Sequence, residues 1–354
     1  MKDKILKFSM GIFMGMIMAV GGVPYMDDFQ SFILWYIAFI ITAILMYIIS
    51  MMIHEIGHMI FGLLTGYKFL SIRFGSYMLI KRDNHIQLKR FSLAGTGGQC
   101  LMDPPDLKNN SLPIVFYNMG GCIMNIVVCI PAVLLLLLDL YWFIDFILSM
   151  FISLNVISAL MNGIPFKTAQ VSNDGYNTIM LCKDIESRLS FYRQMKIAAY
   201  THHNVRLKDI DESLFEYSKQ SLTNPLSQVV AVFKENQLMD LHEFDKAQEL
   251  INYLLDNCNN MLGVYKHLLI NDLIYIKIIN NEDPSSLLTK EHKTFRNALK
   301  TMLPMIRTDY LYHKYITLDH IQMNKTYNAF HKICKTYPYQ SEILSEKELM
   351  EKTI

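Results

Sequence analysis

Charge is scarce in this 354-residue sequence and almost evenly balanced. Only 18% of residues are charged, and 33 Lys and Arg against 32 Asp and Glu leave a formal net charge of +1. A chain that neutralises phosphates needs a basic surplus, so no nucleic-acid partner is expected. Cysteine is sparse as well. The six residues, Cys100, Cys122, Cys129, Cys182, Cys258 and Cys334, include no close pair, which argues against a disulfide framework and a structural zinc module. They read as reduced fillers, with Cys100 set apart in a Gly-rich loop. Three further absences narrow the field. No small-x-small cleavage site follows the apolar run Phe8–Tyr25, so it reads as a membrane span and not as a removed signal. The segment Ala94-Gly95-Thr96-Gly97-Gly98-Gln99 lacks the Lys-Ser/Thr ending of a phosphate-binding loop. No internal repeat of spans is present, which leaves a transporter with little support.

What the chain does have is apolar surface. Hydrophobic residues make up 52% of it, with 24 methionines, and they concentrate in the first half. Four spans are expected: Phe8–Tyr25, a long helix within Phe32–Leu64, a third from about Pro113 to Leu138, and a fourth from about Phe146 to Ile164. Asp139 and Asp145 mark a turn between the last two. Between the second and third, Tyr67–Leu93 changes to short β-like runs with a hairpin signal at Arg82-Asp83-Asn84, a small sheet at the membrane surface. Asp103-Pro104-Pro105-Asp106 then reads as a turn-rich loop.

Beyond residue 187 the sequence is mixed and polar, with amphipathic runs at Leu226–Met239, Glu243–Asn257, Leu262–Ile279 and Phe295–Met305. The expected fold is therefore an all-α membrane protein with a small membrane-surface β element: four transmembrane helices, then a soluble, helical-repeat-like domain. The expected domains are 1–31 (an added helix and loop), 32–186 (a membrane core) and 187–354 (a cytoplasmic helical domain that offers a protein partner a surface). His202, His203, His292 and His313 lie among polar residues and read as surface side chains.

Positive charge sets the orientation. Lys2, Lys4 and Lys7 precede the first span, and Lys68, Arg73, Lys81, Arg82, Lys89 and Arg90 lie between the second and third. By the positive-inside rule both termini are cytoplasmic in a multi-pass cell-membrane protein.

The chemistry concentrates in His54-Glu55-Ile56-Gly57-His58, inside an apolar run. Two imidazoles and a carboxylate at membrane depth are costly, so such a segment marks a functional site. On a helix, His54 and His58 share a face and can reach one metal ion, and Glu55 beside them serves as a base. A zinc ion so held needs a third protein ligand and leaves a fourth position for water. Asp174, in the turn-like Asn173-Asp174-Gly175 after the fourth span, lies at the matching depth and is the predicted ligand.

With these residues the chain resembles the site-2 protease type of intramembrane zinc metalloprotease. His54, Glu55 and His58 match the His-Glu-x-x-His of its first core helix. Asn162, Pro165, Asp174 and Gly175 match the Asn-x-x-Pro and Asp-Gly of its last. On the middle helix, Gly121-Cys122-Ile123-Met124-Asn125 keeps the glycine and asparagine of that family's Gly-Pro-x-x-Asn and lacks its proline.

The resemblance covers roughly Phe32 to Asp184. It implies Zn²⁺ as cofactor and hydrolysis of a membrane-embedded protein or a signal or pro-peptide, and the charge distribution places the His54–His58 turn near the cytoplasmic face. It also implies that an unwound substrate segment pairs with the edge of the sheet in Tyr67–Leu93. Asn125 and Asn162 are then candidates to bind substrate or donate to the oxyanion. A catalytically silent scaffold that binds a transmembrane helix or peptide is the alternative; the presence of all three ligands and the base argues against it.

Overall fold

Thirty-six consecutive residues with no charge before Glu55 and no proline make one helix, α1 (Phe29–Leu64). At a rise of 1.5 Å per residue it is roughly 54 Å long, well beyond a hydrocarbon core of about 30 Å. The computed structural model describes residues 29–82, 85–91, 97–107, 109–138, 140–166 and 172–352. The span expected over Phe8–Tyr25 lies outside them, as do Asp83, Asn84 and Asp139. Among the described residues three stretches are long and apolar enough to cross a membrane: Ile33–Leu64, Ile114–Leu136 and Trp142–Gly163.

The chain divides into two compact units, residues up to Phe61 with Val115–Thr178, and Gly62–Ile114 with Ile179–Ile354. The first holds the helices that carry the spans. The second of those stretches is α2 (Ile114–Val127) and α3 (Cys129–Leu136), which break at Val128. Pro131 has no N–H to offer the carbonyl of Val127, which interrupts the ladder there. The third is α4 (Trp142–Gly163), which begins four residues earlier than expected and takes Asp145 into its first turn. Phe39 of α1 packs on Met150 and Leu154 of α4, and Gly57 of α1 meets Gly120 of α2 so closely that a Cβ on Gly57 would lie 2.4 Å from the Gly120 oxygen. Outward-facing Leu34, Ile41, Ile44 and Tyr47 are exposed, the apolar outer surface a bilayer requires.

The second unit begins with a four-stranded antiparallel sheet, β1 (Lys68–Phe74), β2 (Tyr77–Arg82), β3 (His85–Arg90) and β4 (Gly98–Asp103), in the order β3-β2-β1-β4. Arg82 opposite His85 closes the expected hairpin. The fourth strand was not anticipated, and Cys100 is buried within it, opposite Ile72.

The sheet packs on helices from the other end of the chain: α5 (Asp174–Lys183) leads into α6 (Ile185–His202). They are followed by α7 (Pro225–Asp240), α8 (Phe244–Asn257), α9 (Gly263–Ile279), α10 (Lys290–Ala298), α11 (Leu303–Leu311), α12 (His320–Cys334) and α13 (Gln340–Glu351). Lys196 of α6 pairs with Asp103 of β4 at 2.8 Å. Arg82 of β2 donates to the carbonyls of His202 and Pro338.

Three amphipathic runs became the helices expected of them. The fourth, Phe295–Met305, did not: it spans the end of α10 and the start of α11, because Pro304 suits only a helix's first turn. His202 and His292 are fully buried, not surface side chains.

Candidate metal centre

The first unit brings His54, His58 and Asp174 to one point. Their ligand atoms form the one group of three or more such side chains close enough to share a metal among the described residues. His54 Nε2 lies 3.1 Å from His58 Nε2. Asp174 Oδ2 lies 3.0 Å from the first and 3.4 Å from the second. A tetrahedron with corners about 2.0–2.1 Å from its centre has edges of about 3.3–3.4 Å, so the spacing of the three atoms is compatible with three corners of a tetrahedral metal site. Two imidazoles and one carboxylate are also a donor set zinc accepts, with the fourth corner left for water.

The remaining ring nitrogens explain why the Nε2 atoms point inward. His54 Nδ1 lies 2.9 Å from Asn125 Oδ1, and His58 Nδ1 lies 2.8 Å from the carbonyl oxygen of Tyr117. Facing acceptors, both Nδ1 atoms carry the proton and donate it, which leaves each Nε2 lone pair for a metal.

The Asn125 amide is oriented in turn. Its Nδ2 donates to Asn155 Oδ1 at 2.7 Å and to the carbonyl of Ser50 at 3.1 Å, so its Oδ1 must face His54. Asn155 donates back to the Phe151 carbonyl at 2.8 Å. Both asparagines are completely buried, and this chain of bonds satisfies polar groups that would otherwise be costly inside a membrane.

Two glycines make the approach possible. A Cβ on Gly121 would lie 2.5 Å from the His54 ring, and one on Gly175 would lie 2.1 Å from the Gly163 oxygen. The second contact brings α5, with Asp174 as its first residue, against the end of α4.

Asn173 holds that corner together. Its Oδ1 accepts from the backbone N–H of Phe166 and of Tyr176, both at 3.0 Å, and its Nδ2 donates to the carbonyls of Met161 and Ile164 at 2.8 and 2.6 Å. Sequence reasoning read Asn173 as a turn residue; four bonds to backbone on both sides of the corner make it the clamp that places Asp174.

Glu55 is buried on α1, one residue from His54 and three from His58. Asn162 donates to the Ser158 carbonyl one turn back at 3.0 Å.

A model of peptidase family M50 matches residues 42–308, well over half of the chain and including every residue of this centre. No curated protein and no solved structure gives a match.

Proposed function

The chain belongs to peptidase family M50, a family of membrane metalloproteases, and from that premise we propose that it is a zinc-dependent intramembrane endopeptidase. Its substrate is a membrane-embedded protein or a signal or pro-peptide, cut near the cytoplasmic face. The observation that carries this reading is the convergence of His54 Nε2, His58 Nε2 and Asp174 Oδ2 at 3.0–3.4 Å, with each imidazole's other nitrogen held by an acceptor.

Zinc bound there supplies Lewis-acid activation of a water and of the scissile carbonyl. Glu55 takes the proton from the attacking water and passes it to the leaving amine. Asn125 and Asn155 hold the His54 ring in its ligating tautomer, and Asn173 holds Asp174 at the start of α5. Because the Asn125 amide is fully engaged away from any open space, its role in this reading is to position His54 and not to bind an oxyanion. Asn162 spends one amide N–H on the Ser158 carbonyl, and its amide is proposed to contact the substrate backbone.

The sheet supports the substrate class. β3 is an outer strand, exposed at nearly every position, and an extended peptide added along it would expose a scissile bond that a helix hides. The basic residues of the sheet region and of 1–7 support an active site near the cytoplasmic side, with both termini there. Consecutive packing of α7, α8 and α9 supports the helical-repeat-like reading of the C-terminal domain, whose surface would serve a partner.

The test is expression with candidate single-span and pro-peptide substrates, comparing wild type with Glu55→Gln. Cleavage by the wild type alone, with about one zinc per chain in both proteins, is expected. Equal cleavage by both, or no zinc in the purified wild type, overturns the proposal.

A further inference from the structure

In the second unit, far along the chain from the metal centre, α6, α7, α9, α11 and α13 enclose a cavity of about 220 Å³. A single buried water needs only about 10–15 Å³, so this space is sized for an organic molecule.

Its wall has two chemical faces. One is apolar, with Val229, Val232, Phe233 and Leu268 among its residues. The other carries four carboxylates, Asp240, Asp272, Glu342 and Glu346, against a single cation, Arg307. Not all of these acids have an answering charge. Asp240 is held by Arg206 from outside the wall, with its Nε at 3.1 Å. Arg307, only 1% exposed, is shared between Asp272 and Glu346, the latter at 3.0 Å. Glu342 receives the Tyr337 hydroxyl at 2.5 Å and no cation. Behind the wall, Glu235 of α7 is completely buried and neither of its carboxylate oxygens has a hydrogen-bond partner. Five acids thus stand against two arginines, with Asp240, Asp272 and Glu235 buried and Glu342 and Glu346 partly so, and a buried carboxylate without an answering charge is costly. The Nε of Arg307 also lacks a partner, a donor that awaits an acceptor.

We propose that this cavity is a binding site for a small organic amine, protonated, carried on an apolar or aromatic body that bears an acceptor oxygen. The ammonium answers Glu342 and Glu346. The body fills the space against Val232, Phe233 and Leu268, and the oxygen takes the proton of Arg307 Nε. A bare divalent ion fits poorly, because it calls for six or more oxygen ligands, whereas most of this wall is hydrocarbon and each of the four wall carboxylates already has a partner. Burial pushes Glu342 and Glu346 up to about 7; an ammonium beside them favours their charged forms. The C-terminal domain would then have a ligand of its own, independent of whether the metal centre cuts peptides.

Tyramine is a suitable probe, with N-acetyltyramine as its uncharged counterpart, 3-(4-hydroxyphenyl)propionate as the anion, and Mg²⁺ alone as the inorganic cation. Each is titrated calorimetrically into the full-length protein in detergent at pH 7.5. Tyramine is expected to bind saturably, and N-acetyltyramine and the propionate at least tenfold more weakly. Glu342→Gln, which still accepts from Tyr337, and Ser345→Trp, which fills the cavity, should each weaken tyramine tenfold or more while leaving the unliganded unfolding midpoint within a few degrees. Equal binding of the neutral or anionic compound overturns the proposal. So does binding by Mg²⁺ alone in place of tyramine, absence of saturable tyramine binding to wild type, or tyramine binding undiminished in both folded variants.

Discussion

At the scale of single residues, the two asparagines near the centre differ in what their loss should do. Asn125 touches His54 Nδ1 at 2.9 Å, and partners of metal-bound histidines are typically worth about 10–100-fold in metal affinity. Asn125→Ala is therefore expected to weaken zinc binding by about that factor, read by competition with a chelator of known affinity. Were Asn125 an oxyanion donor instead, kcat would fall by about 100-fold with zinc affinity unchanged, so the two roles separate in one pair of measurements. With Asp174 as the proposed third protein ligand, Asp174→Ala should abolish stoichiometric zinc; full retention removes it from the ligand set. This much of the centre was legible from residue type and spacing, because His-Glu-x-x-His on a helix and an acidic residue at matching depth are local signals. Asn173 and the Asn125–Asn155–Ser50 connections were not, since each depends on which backbone atoms the fold carries to that point.

At the scale of elements, α1 and α2 approach closely at Gly57 and Gly120. A methyl on Gly57 would stand 2.4 Å from the Gly120 oxygen and 2.7 Å from Met124 Cβ, too close for either neighbour to yield without moving a helix. Gly57→Ala should thus destabilise the protein by about 1–3 kcal/mol. Because α1 carries both histidines, it should also lower zinc occupancy. Ile44→Ala, on an exposed stretch of the same helix, should do neither; thermal unfolding in detergent with metal analysis checks both.

The helices themselves were legible because long uninterrupted apolar runs admit little else. β4 was hidden by its composition: Gly97 before it and Pro104 and Pro105 after it frame six residues, the first of them Gly98, whose identity as a strand comes from pairing with β1, some thirty residues away. The break between α10 and α11 did have a local signal, Pro304, which an amphipathic pattern running past it obscured.

At the scale of the whole molecule, unfolding should respond to pH through buried groups of opposite sign. His202 lies where the sheet meets the helices. Its Nε2 donates to the Lys81 carbonyl at 2.8 Å, while its Nδ1 is buried with no partner. Burial lowers its pKa from 6.5 to about 4, because the cation would place a second, unanswered N–H inside the protein. A group depressed in the folded state contributes stability that is present above its unfolded pKa and is lost as pH falls through the folded one. Its contribution therefore holds above about 6.5 and fades toward 4. Glu342 runs the other way: burial raises its pKa from 4.5 to about 7, so its contribution is full below 4.5 and lost as pH rises through 7. Between 4.5 and 6.5 the two slopes oppose each other, which flattens the dependence of the wild type. Removing one group at a time exposes the other. His202→Gln, whose amide can still donate to Lys81, should be more acid-tolerant than wild type, its relative stability rising as pH drops from 6.5 to 4.5. Glu342→Gln should lose relative stability over the same interval. Denaturant midpoints of the three proteins at pH 4.5, 5.5 and 6.5 decide it: two difference curves of the same sign would show that these groups do not set the pH response.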